Sequence, residues 1–153
     1  MAAKSTIDFL MRAISSDDPR FVEGFVSTHK EVLKEKDEAG NTPLIRSVFL
    51  NKEYIASLLI GYGADVDAPN SQGWTPLMIA ATHGSTNSVR LLLEKGANPY
   101  IKLSDGSTAY SLAKECRHDD AADLILRAID GSLRSGREAL ERLRRNVPVR
   151  IKF

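Results

Sequence analysis

The chain has 153 residues, 42% of them hydrophobic and 27% charged, with a formal net charge of +1. These proportions exclude a wholly disordered chain, a collagen-like repeat and a disulfide-stapled scaffold. The one cysteine, Cys116, cannot close an internal disulfide and suits a reducing compartment. No uncharged apolar run approaches the roughly 18 residues that a bilayer span needs. The opening MAAKSTIDFLMRAISSDD lacks the continuous apolar stretch of a secretory signal, so a soluble cytoplasmic protein, with nuclear entry left open, is expected.

In chain order, residues 5–15 and 19–28 read as a helix pair. Asp18 caps the second helix and Pro19 opens it, at a position where a missing N–H costs nothing. From residue 37 a period of 33 takes over: Gly40, Gly73 and Gly106 are each followed by a Thr that opens a helix. The openings are Thr42-Pro43-Leu44, Thr75-Pro76-Leu77 and Thr108-Ala109-Tyr110, and each Thr hydroxyl is placed to accept an orphan backbone N–H. The same period links Leu58-Leu59-Ile60 to Leu91-Leu92-Leu93 and Leu124-Ile125-Leu126. It also links Gly63-Ala64-Asp65 to Gly96-Ala97-Asn98. Small pairs such as Ala80-Ala81 keep the first helix of a unit thin, and Gly84 marks the turn to the second. Phe21, Val22, Phe25 and Val26 lie 33 before Tyr54, Ile55, Leu58 and Leu59, so residues 5–36 form a degenerate first unit. Three units follow, 37–69, 70–102 and 103–131. The segment 132–146 is expected to cap the stack, helical over 136–146 with Leu140 and Leu143 inward. Residues 147–153 alternate apolar and polar as an extended tail.

The stretch from Gly73 through Thr75-Pro76-Leu77 and Ala80-Ala81 to Leu92-Leu93-Glu94-Lys95-Gly96-Ala97 closely resembles the ankyrin repeat, and the motifs cover residues 37–129. The resemblance implies an all-α solenoid of stacked helix-turn-helix units with short β-hairpin fingers. Departures are visible. Ile45, Met78 and Ser111 stand where the family usually has His, and Arg46-Ser47-Val48 replaces an aliphatic-Ala-Ala run, so that helix is expected to pack less regularly. Arg117 occupies a common turn-Gly position, and Asp67 and Tyr100 replace a frequent Asn.

The resemblance further implies non-enzymatic binding of another protein, as an adaptor, inhibitor or assembly chaperone, on a concave face of fingers and first helices. Repeat phase puts Glu38, Asn41, Phe49 and Leu50 there from the first unit, Trp74, Thr82 and His83 from the second, and Asp105 and Glu115 from the third. Phe49, Leu50 and Trp74 are expected as apolar anchors. The alternative is that Phe49 and Leu50 pack locally against a neighbouring helix.

Residues 134–153 carry seven basic groups against two acids, a local balance of +5 that leaves −4 on the rest. Five excess charges are too few to read as nucleic-acid binding without aromatic or groove-reading elements. The run over 137–145 reads first as the solvated face of a capping helix, and second as a surface for RNA or an acidic partner. Arg150-Ile151-Lys152-Phe153 resembles the basic-Val/Ile-x-Phe peptide that docks as a strand on protein phosphatase 1, with Arg150, Ile151 and Phe153 as its contact residues. The competing readings are that Val149, Ile151 and Phe153 cover the last helix, or that the tail pairs with another strand. Cys116 and His118 lack the orienting groups of a nucleophile or the spacing of a zinc site, and no Gly-rich phosphate loop is present. No enzyme activity, metal or cofactor is expected.

Overall fold

The computed structural model describes residues 6–131, which are built of paired helices. The pairs are α1 (Thr6–Ser15) with α2 (Pro19–Thr28), α3 (Pro43–Phe49) with α4 (Glu53–Gly61), and α5 (Pro76–Thr82) with α6 (Thr86–Glu94). The last is α7 (Ala109–Glu115) with α8, helical over 119–131. A 3-10 turn over Lys30–Lys34, which the sequence pattern does not announce, follows α2 and buries Val32 and Leu33.

Each first helix begins as its Thr dictates. Thr42, Thr75 and Thr108 accept from the amides of Ile45, Met78 and Ser111 at 3.2, 3.3 and 3.3 Å. Where the third unit lacks Pro, a reciprocal box replaces it: the Thr108 amide donates to Ser111 Oγ at 2.9 Å. Asp18 Oδ1 accepts from the Phe21 amide at 3.0 Å and caps α2. Its neighbour Asp17 is no cap. It sits at φ 58° in the turn, and its carboxylate instead pairs with Lys52 Nζ at 3.0 Å.

The pairs stack into two layers. In the inner one α1 packs on α3, α3 on α5 and α5 on α7, while in the outer one α2 packs on α4 and α4 on α6. The core between layers holds Leu10, Ile14, Val22 and Val26 from the degenerate unit, then Leu44, Ile55, Leu59, Leu77, Leu92 and Ile125 in matching phases, all essentially inaccessible. Ala80 and Ala81 are fully buried, as thin-helix positions require, and Ser47 and Val48 fill the same slots in α3. The buried Ser47 hydroxyl is satisfied by the Leu44 carbonyl at 2.7 Å. The irregularity expected of α3 is therefore confined to Arg46.

All four turns between paired helices use a left-handed residue, Asp17, Asn51, Gly84 and Arg117, at φ 55–64°. At Gly84 the glycine is also a packing requirement, because a Cβ there would lie 2.5 Å from His118 Nδ1. The fingers between units are tight turns, each closed by a glycine amide bonded back to the carbonyl three residues earlier and by one backbone bond across its base. Asp37 N donates to Asn41 O, Asn70 N to Trp74 O, and Leu103 N to Ser107 O, at 2.9–3.0 Å. With one such bond each they are too short for a ladder, and no strand forms among the described residues. The segment 132–146 and the tail with Arg150, Ile151 and Phe153 lie outside the described residues.

Candidate functional site

The face built from the fingers and the exposed sides of α1, α3, α5 and α7 collects the residues that repeat phase assigned to it. Their side chains differ in what they have left to offer. Phe49, last residue of α3, is 50% exposed. Its ring meets the edge of His83, the cap residue of α5, with centroids 5.0 Å apart and planes at 73°. His83 Nδ1 lies 2.8 Å from the Ile79 carbonyl, which fixes the imidazole beside that ring. Phe49 and His83 thus form an exposed, held pair that bridges the first two units.

Leu50 and Trp74 are partly buried and pack against the core. Leu50 follows α3 as its cap residue, where the chain turns inward. Trp74 is pinned by its backbone: Asn70 Oδ1 accepts its amide at 3.0 Å, and its carbonyl accepts the Asn70 amide at 2.9 Å. Both expose only part of their surface, in contrast to the open anchors that repeat phase suggests. For Leu50 the local-packing alternative describes what is observed, and for Phe49 packing and exposure coexist.

Several polar positions are already engaged. Asn41 Oδ1 accepts from Asn70 Nδ2 at 3.3 Å and its amide donates to Asp37 Oδ1 at 2.9 Å, so Asn41 ties the first finger to the second. The Thr82 hydroxyl donates back to the helix, to the Met78 and Ile79 carbonyls at 3.1 and 3.0 Å. Asp105 Oδ1 accepts from the Ser107 amide at 2.8 Å. That bond, followed by one from the Ser107 side chain, holds the carboxyl below its ordinary value. Glu38 and Glu115 are exposed.

Asn70 is the organising residue that sequence reasoning missed. It is buried, brackets its own finger through the amides of Gln72 and Trp74, and reaches across to Asn41. The Ser71 amide adds a bond to the Gly40 carbonyl at 3.0 Å. A side chain at Gly40, which sits at φ 79°, would collide with Ser71. The first two fingers are therefore locked together at their tips, and the second and third connections are joined nearer the helices, where Asp67 Oδ1 accepts from the Asn98 amide at 2.9 Å.

Arg46 lies on the same face beside α1. Its Nη2 donates to Ser15 Oγ at 3.3 Å, while its Nε is shielded from solvent and has no partner among the described residues. An unmet buried donor of this kind costs about 1–3 kcal/mol. An open groove of about 390 Å3 adjoins it, lined by Arg12, Asp37 and Glu38 among others.

On the opposite, outer face, Tyr54 is 69% exposed, and Phe21, Phe25 and His29 stack along α2 with centroids 5.5 and 4.8 Å apart. The Tyr62 hydroxyl donates to Glu23 Oε1 at 3.3 Å. Loss of hydration and then the Glu23 charge raise the Tyr62 pKa. Cys116 is exposed and unpaired. Among the described residues no group of three or more His, Cys, Asp or Glu side chains could hold a metal, and no helix is long and apolar enough to cross a membrane.

The pattern of ankyrin repeats, in three copies, matches residues 10–103 and 73–135. Among curated proteins, XBAT34 of Arabidopsis thaliana, named as a candidate E3 ubiquitin-protein ligase, is 34% identical over 136 residues, covering 86% of this chain and 34% of its own. XBOS34 of Oryza sativa subsp. japonica, similarly named, is 39% identical over 100 residues, covering 63% of this chain and 19% of its own. Human ankyrin repeat domain-containing protein 13C is 37% identical over 78 residues, covering 51% of this chain and 14% of its own. The chain thus spans about a third or less of the length of these relatives.

Proposed function

Because the chain belongs to the ankyrin-repeat family, a family that is generally non-catalytic and binds proteins, we propose that it holds a partner protein on its finger-side face. The contact is centred on Phe49 and His83. The observation that carries this reading is a half-exposed aromatic ring, fixed edge-on by a neighbouring unit, on the face that the locked fingers keep rigid. A pre-ordered apolar anchor loses little conformational entropy on binding, which is why such residues dominate interface energies. Glu38 and Glu115 supply exposed charge at the two ends of the face, and Trp74 and Leu50 contribute their remaining apolar edges. Asn41, Thr82 and Asp105 shape the surface through the bonds that they already make.

In this reading the chain is an adaptor that works in the cytoplasm, a role supported by its family and by the exposed anchor. The phosphatase-docking reading of Arg150, Ile151 and Phe153, like the RNA-binding reading of 137–145, rests on the sequence alone. The test is affinity capture with wild type, Phe49→Ala/His83→Ala, and a chain ending at Asn146, each checked for folding by circular dichroism. Loss of the main partner with the double substitution alone supports the finger-side face. Loss with the truncation alone transfers the function to the tail.

A further inference from the structure

The first unit is built like the others, yet it buries less. Its left-handed turn residue, Asp17, lies 34 before Asn51, one more than the 33 that separates Asn51, Gly84 and Arg117. Pro19 and Glu53, the first residues of α2 and α4, keep the same register. On that register Phe9, Phe21 and Phe25 hold the places of Pro43, Ile55 and Leu59. The second unit buries all three, with α1 packed on α3 and α2 on α4. In the first unit Phe9 is 48% and Phe21 44% exposed, and Phe25 is half-buried. This end of the stack thus carries the residues of an inter-unit interface, with no unit in front of it among the described residues. A stack that ends in water needs a polar surface there instead.

We propose that this end binds a second copy of the chain, with the two α2 helices antiparallel about a two-fold axis at Gly24. The surface is complementary to itself. Gly24 lies between Phe21 and Phe25, whose rings stack at 5.5 Å, and a Cβ at Gly24 would meet no atom within 4 Å. A second helix can therefore approach closely there. Ser27 and Thr28 donate their hydroxyls back to the Gly24 and Phe25 carbonyls at 2.8 and 3.1 Å, so neither needs a partner outside the helix. An axis at Gly24 lays Phe21 of one copy over Ser27 and Thr28 of the other. It also sets Arg20 beside the carbonyl end of the other α2, and the exposed Asp18 beside the exposed Lys30, so unlike charges meet at both ends. Such an isologous contact needs no second surface. A half-exposed aromatic ring offers about 100 Å2, so the three supply at most about 300 Å2 per copy, below the roughly 800 Å2 of a stable interface. The pair is therefore weak. It leaves Phe49 and His83 free, so one pair holds two partner molecules.

The test is sedimentation velocity of the full chain from about 5 to 500 µM, where a monomer–dimer equilibrium with a dissociation constant of about 100 µM is expected. Gly24→Gln adds a side chain where the single copy has room for one. It should weaken pairing at least tenfold while Tm stays equal or rises. Tyr54→Ala and Phe49→Ala/His83→Ala should pair as wild type does, which separates this end from the finger-side face. In a Cys116→Ser background, Gly24→Cys should form a disulfide between two copies under oxidised glutathione, much faster than Tyr54→Cys. A chain that stays monomeric throughout, wild-type pairing by Gly24→Gln, or equal cross-linking at the two positions would overturn the inference. If the full chain is monomeric and the Phe21 ring resonances move when residues 132–153 are deleted, that segment covers the end and the second copy does not.

Discussion

Helices α3 and α5 begin alike and finish differently. Both open with Thr-Pro-Leu, both are capped by the Thr hydroxyl at nearly the same distance, and both bury the Leu. After that, α5 continues as Ile79-Ala80-Ala81-Thr82 and α3 as Arg46-Ser47-Val48-Phe49. The inward slots tolerate this because Ser47 satisfies its hydroxyl internally. The outward slots do not restore the pattern: Arg46 keeps an unmet donor and Phe49 keeps half its surface in water. The contrast separates what builds the stack from what the stack displays. Positions shared by the two helices fix the fold, and positions where they differ hold the surface chemistry.

The comparison can be broken most forcefully at its shared positions. Leu44→Ala and Leu77→Ala, both about fully buried, should each cost about 3 kcal/mol in denaturant unfolding. A gap between them larger than about half that value would mean that the two units do not share one core geometry. Gly84→Ala is the next largest effect, about 2 kcal/mol, since it adds left-handed strain to a collision with His118. If the variant unfolds with the wild-type protein, His118 does not occupy the position described.

Sharper still is Arg46→Leu. It gives α3 the aliphatic residue that α5 and α7 have at this phase, and it removes the unmet donor. The fold should gain about 1–2 kcal/mol. A loss of stability would show that the guanidinium is satisfied in solution. The smallest effect belongs to the third finger, where Asp105 ionises more readily than its ordinary value of 3.8 because the Ser107 amide bonds its anion. Its contribution is present above that value and is lost as pH falls through the lowered folded pKa. An Asp105→Asn variant should therefore be slightly less stable than wild type near neutrality, with the difference vanishing in acid. A difference that grows in acid contradicts the assignment.

Much of the scaffold was legible before any coordinates, because it is written in local, repeated chemistry. Thr42, Thr75, Thr108, Asp18 and Pro19 specify helix starts through bonds to residues one turn away, and a 33-residue period then multiplies every signal. The candidate site was legible only as a face. Whether Leu50 or Trp74 stays open depends on neighbours in other units, and no spacing rule encodes that. Asn70 was invisible for the same reason, since its partner Asn41 lies 29 residues away. Arg46 did announce itself as a departure, but its unmet Nε follows from how α1 covers it. Arg117 and Asn51 show the converse: their left-handed turns follow from repeat phase against composition.

The central claim is that the finger-side face, and not the outer aromatic face, meets the partner. It is tested most directly by measuring the dissociation constant of a captured partner for wild type, Phe49→Ala and Tyr54→Ala, two exposed aromatics on opposite faces. The account requires at least about a tenfold loss for Phe49→Ala, the effect of an interface anchor, with Tyr54→Ala unchanged. The reverse pattern, loss with Tyr54→Ala and wild-type affinity with Phe49→Ala, would contradict it.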